Sequence, residues 1–81
     1  MNEIQKIITQ YKRDMTFQDM ADAINSTPGL TGKITRPQIN NWALGIAQPK
    51  PYVLYFLANR GAGWVSHMAL DLLKVIEPEM L

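Results

Sequence analysis

An all-α domain of five short helices is what this sequence predicts, on three observations. Apolar residues recur at i, i+3, i+4 in one segment after another. No segment shows the alternation of a strand. Prolines, glycines and N-cap residues fall at the joints between the periodic segments. With 81 residues, 47% of them apolar and 19% charged, the chain reads as one domain, 1–81, and as globular rather than disordered. A chain this small buries a limited share of its surface, roughly 60% at about 60 residues, so pairing with a second copy is an expected source of stability.

The first helix is expected over 2–14, where Ile4, Ile7, Ile8 and Tyr11 form one apolar stripe. Lys12 and Arg13 in its last turn complement the helix dipole, with phosphate contact as the sharper alternative. A second helix starts at Thr16, which has capping-box spacing to Asp19, and buries Phe17, Met20, Ala21 and Ile24. Asn25 tolerates the left-handed backbone and is expected to end it. Residues 26–33 are a loop around Pro28-Gly29. After the third helix, prolines 49 and 51 make 46–51 a stiff connection. A short helix follows over 52–59, too apolar for one face to hold all its large side chains. Arg60-Gly-Ala-Gly63 breaks the chain. The last helix runs from Trp64 to Ile76, with Val65, Met68, Ala69, Leu72, Leu73 and Ile76 facing inward, and Glu77-Pro78 ends it.

The third helix, Thr35 to Leu44, has the most distinctive chemistry. Thr35 and Gln38 have the spacing of a capping box, Pro37 falls in the first turn where an N–H is dispensable, and Gly45 stands at the left-handed C-cap position. Ile39, Trp42 and Ala43 share the inward face. Arg36, Gln38, Asn40, Asn41 and Leu44 are left over, a set rich in forked hydrogen-bonding groups and free of acid. Arg suits guanine, and Asn or Gln suits adenine, on the floor of a DNA major groove. Charge distribution points the same way. Residues 23–70 carry Lys33, Arg36, Lys50 and Arg60 and no acid, whereas the flanking segments carry all seven Asp and Glu. A positive island of this kind suits a polyanion.

Other chemistries are poorly supported. The chain has no cysteine, which excludes disulfides and Cys-based zinc sites. The start of the chain lacks the apolar run of a signal peptide, and no apolar stretch approaches the ~20 residues of a membrane helix, so a cytoplasmic location is expected. Gly29-Leu-Thr-Gly-Lys33 fails as a phosphate loop: its glycines are too close, Ile34 follows the lysine, and a helix rather than a strand precedes it. His67 is the sole histidine and has no acid–base or metal-ligand spacing to the carboxylates. Neither enzymatic activity nor a cofactor, metal or small-molecule substrate is expected.

Taken together, the residues over about 16–51 resemble the phage repressor and Cro type of helix-turn-helix domain, the lambda-repressor-like fold. Met20, Ala21 and Ile24 match the apolar, small and apolar positions of the first motif helix. Asn25 stands where the family has its turn glycine. Ile34, Ile39 and Trp42 match the later apolar positions, and Gly45 and Pro49 follow the second motif helix. Two features depart from the family. About eight extra residues, 26–33, lengthen the turn, and an outward bulge would let the helices keep their crossing. Phe17 stands where a phosphate-touching Gln is common, with Gln18 one step along.

The resemblance implies a DNA-binding transcriptional regulator, a repressor of phage, prophage or plasmid type. Thr35, Arg36, Gln38, Asn40 and Asn41 then face bases, and Gln18, Lys33 and Lys50 hold phosphates. It also implies a homodimer on double-stranded DNA. The aromatic surplus at Tyr52, Tyr55, Phe56 and Trp64 is either its interface or ordinary core. The alternative class is a helical protein-interaction module, such as an antirepressor or antitoxin.

Overall fold

The computed structural model describes residues 2–80, and its helices run α1 Glu3–Lys12, α2 Phe17–Asn25, α3 Arg36–Leu44, α4 Pro51–Arg60 and α5 Trp64–Ile76, followed by a 3-10 turn at Pro78–Met80. No strand occurs among the described residues. No helix there is long and apolar enough to cross a membrane.

Caps explain most of the helix starts. Asn2 accepts from the Gln5 amide at 2.8 Å, and the Gln5 side chain accepts from the Asn2 N–H at 2.7 Å. The Asp19 amide donates to Thr16 Oγ1 at 3.0 Å, and the Thr16 amide to Asp19 Oδ2 at 3.3 Å, as the spacing predicts. α1 ends two residues before the expected boundary. Arg13 takes a positive φ of 38°, and the Met15 amide reaches back to the Lys12 carbonyl at 2.7 Å. This reversal brings Thr16 into the extended conformation that its capping role requires.

The stripes expected from periodicity supply the core. Ile4 and Ile8 of α1 meet Met20, Ala21 and Ile24 of α2, Ile39 and Trp42 of α3, Leu54 and Leu57 of α4, and Val65, Met68, Ala69, Leu72 and Leu73 of α5. α4 and α5 form the most extensive pair, α1 packs on both α3 and α5, and α2 packs on α3. The α4–α5 corner is tight enough to require glycine. A Cβ on Gly61 would lie 2.5 Å from the Leu57 carbonyl oxygen, the same oxygen that accepts the Gly61 N–H. α3 packs on α1 and on α2, with Arg36, Gln38 and Leu44 left exposed.

One polar contact crosses the bundle. Tyr11 donates its hydroxyl to Asp71 Oδ2 at 2.5 Å, tying α1 to α5, and its ring stacks on Trp64 with centroids 6.4 Å apart. Tyr11→Phe is expected to cost about 1 kcal/mol, read by thermal unfolding. The bond to Asp71, helped by burial, pushes the Tyr11 hydroxyl up to about 12 from its ordinary 10.0. A raised folded-state value means the contribution is whole below the unfolded value and is lost as pH rises through the folded one. Wild type is thus expected to lose stability between pH 10 and about 12 in a way that the Phe variant does not.

Candidate nucleic-acid interface

The polar side of α3 is built from both ends inward. At its start the Thr35 hydroxyl accepts from the Gln38 amide at 3.3 Å, while Gln38 Oε1 accepts from the Thr35 N–H at 2.8 Å and from the Thr35 hydroxyl at 3.2 Å. At its end Gly45 takes φ 77°, and the Ile46 amide closes on the Asn41 carbonyl at 2.9 Å. Ile39 and Trp42, at 0% and 5% exposure, anchor the inward face of the helix in the core. Arg36 and Gln38 stand exposed, and Asn40 and Asn41 are half-buried. Among the described residues, Arg36, Asn40 and Asn41 make no side-chain hydrogen bond within the chain. Thr35 and Gln38 differ from them. Their oxygens are committed to each other, which leaves the Gln38 amide N–H groups to reach outward.

Two open clefts flank this helix. One, of about 500 Å³, lies between α2 and the start of α3 and is lined by Gln18, Asp22, Asn25, Lys33, Arg36 and Pro37 among others. The other, of about 360 Å³, lies between α3, the loop and the start of α4. Lys33, Gln38, Asn41, Trp42, Lys50 and Tyr52 contribute to it, and no acid does. Lys33 borders both clefts, so the structure brings Lys33, Arg36, Gln38, Asn41 and Lys50 around one helix. Asn40 borders neither. Lys50 holds its ammonium 6.0 Å from the Tyr52 ring centroid.

Gln18, expected to hold a phosphate, lines the cleft beside α2 but already has a partner within its own helix. Its amide donates to Asp22 Oδ1 at 2.9 Å, and a phosphate brought to that amide would meet the carboxylate. Lys12 and Arg13 border neither cleft. Lys12 sits 5.0 Å over the Phe17 ring, and Arg13 Nε donates to the Gln10 carbonyl at 3.1 Å. The four aromatics do not form one surface. Tyr52 is exposed at 66%, whereas Tyr55, Phe56 and Trp64 are half-buried. Trp64 stacks on Tyr11, and a Cβ on Gly29 would lie 3.4 Å from the Phe56 ring. Leu44 and Ile46, at 56% and 70% exposure, are the large apolar side chains left open at the end of α3.

Asn25 carries a role that residue-by-residue reading misses. It does not take the left-handed backbone: α2 includes it, and Ser26 caps the helix in right-handed geometry at φ −74°. Its carboxamide instead donates to the Ile34 carbonyl at 2.7 Å and accepts from the Ile34 N–H at 2.8 Å. The loop between these residues does not bulge freely. Thr27 is buried, Leu30 packs against the core, and Gly29 lies beside Phe56. The signal was present in the side chain's fork, which can satisfy a backbone donor and acceptor together, but its partner lies nine residues away.

Comparison of the chain with protein-family models, with curated proteins and with solved structures finds no match in any of the three.

Proposed function

We propose that this chain is a sequence-specific double-stranded DNA-binding domain of the helix-turn-helix type, with α2 and α3 as the motif helices and α3 in the major groove. One observation carries the reading. A helix capped at both ends and anchored by Ile39 and Trp42 presents Arg36, Asn40 and Asn41 with no side-chain hydrogen bond to the described residues, and Lys33 and Lys50 stand beside it. Unpartnered guanidinium and carboxamide groups match guanine and adenine edges. The lysines supply phosphate contacts, which set register and salt dependence rather than sequence choice. A two-fold pair of chains would bring two such helices to half-sites about 34–36 Å apart. This is the arrangement of a regulator that occupies an operator.

A second reading has an observation of its own. Exposed Leu44 and Ile46 at the end of α3 suit an apolar protein partner. Salt separates the two. Affinity for a random-sequence duplex pool should fall steeply between low and moderate salt if phosphates are neutralised, and an apolar contact should not respond in that way. Lys33→Ala and Lys50→Ala are each expected to weaken binding to all duplexes alike and to flatten the slope of log affinity against log salt by about 1. A loss confined to one base position would remove the lysine concerned from the phosphate role.

A further inference from the structure

We infer that Asn25 is a positioning residue: by clamping Ile34 it sets the angle at which α3 presents its reading face, an inference that rests on the DNA-binding reading above. Both bonds go from one carboxamide to one residue, 2.7 Å to its carbonyl and 2.8 Å from its N–H. Ile34 is itself buried and immediately precedes Thr35, the N-cap of α3. The clamp therefore acts one residue from the start of the helix it orients. It also ties the end of α2 directly to the entry of α3 across residues 26–33. Thr27, Leu30 and the Gly29–Phe56 contact hold that connection against the body at other points.

Geometry explains why specificity would feel the loss more than affinity. Side-chain tips stand about 5–6 Å from a helix axis, so a rotation of about 10° displaces them by about 1 Å. Paired hydrogen bonds to a base edge tolerate about 0.5 Å. Long lysine side chains on phosphates absorb the same shift through rotamer changes. Asn is the side chain that fits here. Asp keeps the acceptor for the Ile34 N–H but sets a carboxylate against the Ile34 carbonyl, and Ala keeps neither bond.

The experiment compares wild type, Asn25→Ala and Asn25→Asp on two duplexes of equal length: one selected by wild type from a random-sequence pool, and its scrambled counterpart. The readout is the ratio of the two affinities. Partial unfolding lowers both affinities by the same factor and leaves the ratio unchanged, so a merely structural role does not move it. The ratio is expected to fall about tenfold in Asn25→Ala, the loss of about one bidentate base contact, and to fall also in Asn25→Asp. An unchanged ratio in either folded variant overturns the positioning role while leaving the DNA reading intact. If wild type itself shows no salt-dependent binding, the DNA reading fails and the proposal with it. If neither variant folds, Asn25 is a folding residue and the assignment is overturned.

Discussion

Replacing Asn40 and Asn41 together with alanine is expected to abolish most of the domain's preference among DNA sequences while making the fold slightly more stable. The two effects have opposite signs for separate physical reasons. Asparagine is worse than alanine in a helix interior by up to about 0.7 kcal/mol, so the double substitution in α3 should raise the melting temperature modestly. Neither carboxamide makes a side-chain bond among the described residues, so none of those is lost in the free protein. Against DNA, each good bidentate pair discriminates by about 1–3 kcal/mol, and losing two leaves Arg36 as the main remaining reader beside phosphate attraction. A competition assay between the selected duplex and random duplexes, run beside thermal unfolding, reads both changes. Unchanged preference would remove the asparagines from the groove.

Trp42→Ala is expected to have the largest effect on stability at the site. The indole is 5% exposed and joins α3 to the shared core. Truncating such a side chain costs about 3–5 kcal/mol, part of it from the cavity left behind. A domain of this size holds only on the order of 5–10 kcal/mol in total. The melting temperature should fall by about 15 °C or more, and DNA affinity should fall for every sequence as the folded fraction drops. A loss under about 1 kcal/mol would mean that α3 is held mainly by its caps and by Asn25.

What was legible in the sequence was what the chain decides locally. Thr16 with Asp19, Thr35 with Gln38, and Gly45 act within one helical turn, and each has the bonding that its spacing implies. The inward stripes were legible for the same reason, because a 3.6-residue period selects a face without reference to the rest of the fold. Asn25 was misread because two properties of one side chain compete, tolerance of the left-handed backbone and a forked amide, and the choice depends on where Ile34 lies. The aromatics of α4 and α5 were ambiguous because residues 52–59 are apolar on nearly every face. Only the assembled bundle directs Tyr55 and Phe56 partly inward and leaves Tyr52 out. The bond from Gln18 to Asp22 was also visible as an i+4 spacing, but Asp22 was weighed as a charge rather than as an acceptor.

The central claim is that the carboxamides of α3 lie against base edges, and adenine N7 tests it most directly. In the selected duplex, each adenine in turn is replaced by 7-deazaadenine, which removes that major-groove acceptor and leaves base pairing intact. Wild type is predicted to lose about tenfold in affinity at one or two positions, and the Asn40/Asn41 double-alanine variant to lose nothing further there. Equal sensitivity of both proteins at every position, or none in wild type, would contradict the account.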